Sequence, residues 1–249
     1  FTFTPTKGLQ LAIGNSVIYD YRYPHYAFLL PVAFYKAIDH TLNSGIDNMN
    51  SQLFFSASTR NLKDFHFYGT VFLDEVAVDR IFNSEEHNFV SYKLGAASTI
   101  LPNTRIIAEY TWTNALTFRH NIPTTTFESN QYNLGHYLED NAKQFYLGVE
   151  YRPIRTLNIK AYYSHADKGP DHTELGTTPR DEIHPFEPIV WTSNQAGILA
   201  TYQLINDLYL RLGYEWRNVT GEQDFLDQWT ADVYHGKTGT LRLGLNFGF

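Results

Sequence analysis

The chain has 249 residues, a formal net charge of −7, an aromatic share of 16% and no cysteine. The lack of cysteine excludes disulfides and thiolate metal sites, and the acidic balance argues against nucleic acid as a partner, because a phosphate backbone calls for a basic surface. No stretch of about 20 apolar residues occurs, so the sequence excludes a transmembrane helix.

Ten segments alternate apolar and polar residues with the period of two that separates the faces of a β-strand. In chain order they are 8–18, 49–60, 63–76, 88–101, 104–113, 143–152, 156–165, 195–204, 208–217 and 240–249. The apolar face of the last segment consists of Leu241, Leu243, Leu245, Phe247 and Phe249. An apolar face that runs to an aromatic final residue is typical of the closing strand of an outer-membrane β-barrel.

The connections between these segments alternate between tight turns and long loops. The long ones are roughly 19–48, 77–87, 114–142, 166–193 and 218–237. Short periplasmic turns and long external loops are a feature of outer-membrane barrels. The alternative is a soluble β-sandwich or propeller, but a sandwich has no reason to collect its long loops at one end. We therefore predict an all-β fold, a transmembrane antiparallel outer-membrane β-barrel, that forms a single domain over 1–249.

Counting strands back from Phe249 at the periplasmic rim gives an expectation for the other end of the chain. The count makes Pro5–Lys7 a periplasmic turn and Phe1–Thr4 the end of an earlier, inward strand. We expect the chain to be the C-terminal part of a larger barrel. The alternative is a closed barrel of ten strands with a short periplasmic N-terminus, since an even strand number suits such barrels.

The least generic region surrounds the first long loop. A strand that ends in Val17-Ile18-Tyr19 leads to an aromatic loop with Tyr23-Pro24, then to a turn over 43–48, and later to an acidic pair, Asp74-Glu75, that closes a strand. Over roughly residues 9–75 this order resembles the Wzi-like capsule-assembly barrels, most closely the Bacteroidota branch that includes RemB-type gliding-motility proteins. The resemblance implies a barrel of up to about 18 strands. It also implies a non-enzymatic outer-membrane protein that holds capsular polysaccharide or acts in gliding motility.

Sugar-binding surfaces combine flat aromatic faces with hydrogen-bonding amides and carboxylates, and the first long loop offers both. The candidate glycan-binding residues are Tyr21, Tyr23, His25, Tyr26, Tyr35, Asp39, His40, Asn43, Asp47 and Asn48. A second interpretation, compatible with the first, is that the apolar residues of 28–34 fold the loop inward as a lid.

Charged residues on the polar faces of the strands should point into the barrel lumen. The predicted lumen charges are Asp74, Lys93, Arg105, Glu109, Glu150, Arg152, Lys160, Arg211, Glu215, Arg217 and Arg242. Their mixed signs suit either a cross-braced interior or a water-filled pore, and strand register decides which of them meet.

Enzyme and metal chemistry are both disfavoured by spacing. His66 shares a face with Asp74, but eight strand residues separate them by about 26 Å, so any catalytic pair would need a partner from a neighbouring strand. The histidines and aspartates of the 166–193 region match no defined metal site, and we predict a solvated loop without metal or cofactor. They are His165, Asp167, Asp171, His172, Asp181 and His184.

Three functions from different classes follow from these patterns. The first is a non-enzymatic outer-membrane barrel that binds or organises surface polysaccharide, or acts in surface assembly and motility. The others are a porin-like channel for small solutes and a barrel-wall hydrolase. The expected partners are membrane lipids, lipopolysaccharide, surface polysaccharide, and an outer-membrane protein or lipoprotein.

Overall fold

The computed structural model describes residues 1–20, 25–30, 32–42, 48–75, 88–120, 122–130, 132–172 and 185–248. Eleven strands form one antiparallel sheet in which neighbours follow chain order, apart from a small separate hairpin of β7 and β8. The strands are β1 (Thr2–Thr6), β2 (Leu9–Tyr19), β3 (Met49–Thr59), β4 (Phe65–Glu75), β5 (Phe89–Ser98), β6 (Thr104–Thr113), β7 (Glu128–Ser129), β8 (Tyr132–Asn133), β9 (Ala142–Ile154), β10 (Leu157–Lys168), β11 (Trp191–Ile205), β12 (Leu208–Gly221) and β13 (Gly236–Phe247). The α-helices are α1 (Tyr35–Leu42) and α2 (Gln223–Trp229).

The predicted all-β fold, an antiparallel meander, is confirmed. Each of the ten predicted segments overlaps a strand. The predicted inward segment Phe1–Thr4 lies largely in β1, which also includes Pro5 and Thr6 of the predicted turn, and Phe3 pairs with Leu11 of β2. Within the described part of the chain β1 and β13 have one neighbour each, so the sheet is open. No helix in the described ranges is long and apolar enough to cross a membrane.

Tight turns and long connections alternate along the sheet, which gives it a short-turn end and a long-loop end. Asp64, Asn103 and Asp207 adopt left-handed backbone conformations in three of the tight turns, with φ of 64°, 55° and 63°. Asn and Asp tolerate this conformation better than other non-glycine residues, so the sequence suits these turns.

Strand register collects the apolar residues on one face, called here the outer face. Leu212 pairs with Leu243 on one side and with Ala200 on the other, and Leu243 remains 76% exposed. Leu241 and Leu245 beside it are similarly exposed, at 72% and 67%. A continuous exposed apolar face of this kind matches a lipid-facing surface.

The apolar band runs obliquely across the strands. The row of paired residues that passes through Leu243 continues through Leu212, Ala200, Ile159 and Tyr151 to Thr104. Leu243 lies in the middle of the apolar face of β13, whereas Thr104 is the first residue of β6. The strands are therefore tilted relative to the band, as strands that close around a barrel axis must be.

The opposite, inner face is polar along most of its length and is covered at the long-loop end. Inward-facing residues of β9 to β12 pack there against Leu138 from the 114–141 segment and Leu226 from α2. The cluster consists of Leu138, Ala142, Ala166, Trp191, Val219 and Leu226, with Trp229 against it. Farther along the sheet, the Phe72 ring of the inner face contacts Phe118, with 4.8 Å between ring centroids. The 114–141 segment and α2 thus form a cap over the inner face.

Candidate functional site

Strand register determines which of the predicted lumen charges meet. Lys93 Nζ lies 3.2 Å from Glu109, and Lys160 Nζ lies 2.7 Å from Glu150. Glu215 accepts from two arginines, Arg217 at 2.9 Å and Arg242 at 3.4 Å. These pairs cross-brace the inner wall. As partly exposed pairs, each contributes at most about 1 kcal/mol of stability.

The other predicted lumen arginines are not neutralised in this way. Within the described residues, the side chains of Arg105, Arg152 and Arg211 make no ion pair within 4 Å and no hydrogen bond. Arg105 belongs to a row of paired inner-face residues that continues through Glu150, Lys160, Leu199 and Gly213 to Arg242. This row carries three cations and one carboxylate, so the inner wall near the short turns is cationic although the whole chain is acidic.

Asp74 joins the wall to the cap. Its buried carboxylate accepts from Phe118 N at 3.0 Å, and its carbonyl oxygen accepts from Lys36 Nζ at 2.6 Å. His66 instead meets Ser58, with 2.9 Å between Nε2 and Oγ. The two residues thus have separate partners, in line with the predicted separation along the strand. In the described chain no carboxylate is hydrogen-bonded to His66, so the His66–Ser58 pair lacks the third group that orients a catalytic base.

Helix α1 of the first long loop lies on the outer face, which corrects the predicted inward lid. The backbone N–H of Tyr35 donates to Asn15 Oδ1 at 2.7 Å, and Ser51 Oγ donates to Asp39 Oδ2 at 2.7 Å. Asn15 and Ser51 lie in the outer-face series of their strands, in alternation with Leu11 and Leu53. Polar anchors on that face hold α1 against β2 and β3 from outside, so the apolar residues around it are not folded into the lumen.

The predicted glycan-binding residues have different environments. Tyr21, Tyr23, Asn43 and Asp47 lie outside the described residues. The Tyr35 hydroxyl donates to Phe28 O at 2.8 Å, and Asp39 is buried against Ser51. The His25 ring accepts from Ala27 N at 3.2 Å, and Asn48 O accepts from Asp20 N at 3.0 Å.

Among the predicted glycan-binding residues that the structure describes, two are exposed. Tyr26 is 76% exposed, with its ring centroid 4.0 Å from that of His25, and His40 is exposed at the end of α1. Of the predicted glycan-binding residues in the described part of the loop, these two are the most accessible to a ligand.

The cap contains a buried ionic cluster that sequence reasoning missed. Arg119 Nε lies 2.8 Å from Asp140, and its Nη2 lies 3.2 Å from Asp171 and 3.4 Å from Glu139. The fully buried Lys168 lies 3.1 Å from Asp171. These residues come from two separate connections and the end of β10, so no local spacing announces the cluster.

Lys168 has further partners that explain its burial. Its Nζ donates to Leu138 O at 3.1 Å and to Asp140 O at 2.8 Å, and it lies 4.1 Å from the centre of the Trp229 ring. A buried ammonium group with three such partners is stable, whereas an unpaired one would be costly. The cap is therefore an ordered polar and apolar core at the end of the wall.

The histidines and aspartates predicted to lie in a solvated loop form no common site in the described residues, and Asp167 corrects the prediction because it is buried within β10. Asp167 accepts from Thr192 Oγ1 at 2.8 Å and lies 3.1 Å from His165, whereas Asp171 belongs to the cap. Asp181 and His184 lie outside the described residues. A different group is brought together near the surface, with Asp227 from α2 and Asp232 and His235 from the residues that follow it.

No model of a protein family matches the chain, and no curated protein matches it in sequence. Among solved structures, a NanC porin determined in a rhombohedral crystal form aligns with 100% of this chain and 90% of its own, at 8% sequence identity and a TM-score of 0.38. We draw no conclusion from a likeness of this size.

Proposed function

We propose that the protein resides in the bacterial outer membrane, has no enzymatic role, and holds or organises polysaccharide at the cell surface. The observation that carries this proposal is the cap: the 114–141 segment and α2 cover the polar inner face at its long-loop end. A covered wall suits a protein that presents a surface to a ligand better than one that passes solutes. A role in surface assembly or gliding motility belongs to the same proposal, because the Wzi-like resemblance includes both.

Aromatic residues on the outer face support the membrane location. Near the long-loop end, the Tyr92 and Trp112 rings are stacked with 6.2 Å between centroids, and Tyr110 lies beside them. Nearer the short-turn end, Tyr151 and Tyr202 are exposed on the same face. Two aromatic belts that flank exposed leucines match the two interfaces of a bilayer. Lipids and lipopolysaccharide would then be the immediate partners, with an outer-membrane protein or lipoprotein as a further one.

The cap offers an aromatic surface suited to sugars. Tyr132 in β8 and Tyr137 are 78% and 65% exposed, and Glu128 and Asn133 of the same hairpin supply a carboxylate and an amide nearby. Exposed rings beside such groups can stack on the apolar side of a sugar and bond its hydroxyls. Tyr26 and His40 are also exposed, on the first loop.

The test is polysaccharide binding by the full chain in detergent, measured on immobilised surface polysaccharides. We expect Tyr132→Ala and Tyr26→Ala each to weaken binding several-fold, since one stacked ring contributes about 1 kcal/mol or more. Tyr209→Ala, on the inner face near the short turns, is the matched control and should bind as the parent does. Absence of binding by the parent to every polysaccharide tested would overturn the proposal.

A porin-like channel is the second candidate, and the cationic inner wall favours it. It requires ion conductance in planar bilayers, and a silent bilayer would reject it. The hydrolase alternative rests on the His66–Ser58 contact at 2.9 Å alone. It requires ester or glycoside hydrolysis that disappears in Ser58→Ala, and an inactive parent protein would end that idea.

A further inference from the structure

We propose that a cavity on the inner face at the short-turn end binds a small anionic group, a phosphate or a carboxylate. This inference goes beyond the proposed polysaccharide-holding role, since it concerns the opposite end of the sheet from the cap. The cavity, called here the turn cavity, has a volume of about 370 Å³. Its polar lining consists of Arg60, Lys63, Asp64, His66, Thr99 and Arg105.

The charges around the turn cavity are unbalanced. The lining contains three cationic residues, Arg60, Lys63 and Arg105, and one carboxylate, Asp64. Within the described residues, the side chains of these three cations make no hydrogen bond or ion pair. Like charges around one cavity repel, and a bound anion would relieve that repulsion.

The donors suit an oxyanion. An arginine guanidinium can bind a phosphate or a carboxylate through two parallel N–H···O hydrogen bonds. Two arginines and one lysine line the turn cavity. When Ser58 Oγ donates to Nε2 of His66, the ring proton resides on Nδ1, and the ring supplies a further N–H donor. Thr99 adds a hydroxyl.

Arg105 also lines a neighbouring cavity of about 480 Å³, which includes Arg152 and Glu150. Glu150 is held by Lys160 at 2.7 Å, so its charge is already compensated. The positive surface thus continues from the turn cavity along the wall, which favours anionic ligands at Arg105 over cationic ones.

The test is calorimetric titration of the full chain in neutral detergent with inorganic phosphate, and separately with glucuronate. We expect millimolar or tighter binding of at least one of them, weakened about tenfold or more in Arg105→Gln and in Arg60→Gln, since each removes a charge-assisted hydrogen bond. Arg211→Gln is the matched control, because Arg211 is also an inner-face arginine whose side chain has no hydrogen bond or ion pair among the described residues, but it lies outside the turn cavity.

The two ligands distinguish a phosphate-bearing from a uronate-bearing source. Equal weakening in Arg105→Gln and Arg211→Gln would overturn the site, because the binding would then reflect wall charge in general. No binding of either ligand by the parent would also overturn it. Neither outcome depends on whether the cap binds polysaccharide. Circular dichroism melting of each variant verifies that the chain is folded.

Discussion

Tyr162 donates a hydrogen bond to Glu215 over Gly197, with 2.5 Å between the two oxygens. The three residues are directly paired across β10, β11 and β12, and the tyrosine ring lies where a glycine side chain would be. The same arrangement recurs in β4, β5 and β6. There Tyr68 lies over Gly95 and donates to Glu109 at 2.6 Å. Glycine in the middle strand lets a phenol reach a carboxylate two strands away, which ties the inner wall together.

Gly197→Ala should break this link. A Cβ atom there would lie 2.5 Å from Tyr162 Cε1, so the ring must swing away and lose Glu215. We expect a loss of about 1–3 kcal/mol in the free energy of unfolding, measured by denaturant titration in detergent. Gly244→Ala is the control, because its Cβ would meet its nearest neighbours at 3.7 and 3.8 Å, which is ordinary contact. Equal stability of the two variants would contradict the prediction.

Asp140→Asn should loosen the cap without opening the sheet. Asp140 is fully buried, accepts from Leu116 N at 2.7 Å and pairs with Arg119 at 2.8 Å. Removing its charge leaves a partly buried arginine with longer contacts, which costs about 2–4 kcal/mol locally. Hydrogen exchange followed by mass spectrometry should show faster exchange at Leu116. Glu139→Gln, whose contact with Arg119 is 3.4 Å and more exposed, should change it much less. Comparable exchange in the two variants would argue against this role of Asp140.

The strands could be predicted because their period of two survives in the sequence, as the alternation of Leu241, Leu243 and Leu245 shows. The position of the first loop also left a signal. Asn15 and Ser51 are polar residues in the outer-face series of β2 and β3, where apolar side chains were expected, and they anchor α1. A polar residue in a lipid-facing series indicates a partner on that face.

The contacts within the cap, and the hydrogen bonds of Tyr162 and Tyr68 across a glycine, left no such signal in the sequence. Arg119 meets Asp171 across 52 positions, and Tyr162 meets Glu215 across 53, so both contacts depend on strand order and register together. For the same reason, the sequence could not show which of the lumen charges form ion pairs. The pairs of Lys93 with Glu109 and of Lys160 with Glu150 follow only from the strand register.

The cap should weaken as pH falls below about 6.5. Burial lowers the pKa of His136 to about 4, while the neutral ring bonds Gln144 at 3.3 Å and accepts from Leu138 N at 3.4 Å. In an opened cap, His136 would regain the ordinary histidine pKa and would be protonated at a pH where it stays neutral in the closed cap. Stability contributed by the neutral ring is therefore complete above pH 6.5, falls between pH 6.5 and 4, and changes no further below that.

The measurement is limited proteolysis of the cap across this pH range, compared between the parent and His136→Gln. Burial also lowers the pKa of His172, so this histidine weakens the cap at low pH in the same way as His136. Burial raises the pKa of Glu139, so protonation of this carboxyl group at low pH has the opposite effect on the stability of the cap. The difference between the two proteins isolates His136. We expect the parent to lose protection relative to His136→Gln as pH falls, and parallel pH profiles would refute the prediction.

The first loop should contact lipid. Leu29, Leu30, Val32 and Phe34 are between 53% and 75% exposed, and they precede the helix α1 that is anchored to the outer face. Apolar side chains on that face would continue the exposed band of the strands into the membrane interface.

Because the chain has no cysteine, a single nitroxide label can be placed without background. We expect labels at Phe34→Cys and Leu243→Cys, in reconstituted vesicles, to be relaxed by oxygen more than by a water-soluble nickel complex. Thr201→Cys, on the inner face, should show the reverse. If the label at position 34 is relaxed like the label at position 201, while the label at position 243 is lipid-exposed, the loop lies in water. If the label at position 243 is also exposed to water, the membrane location itself is rejected.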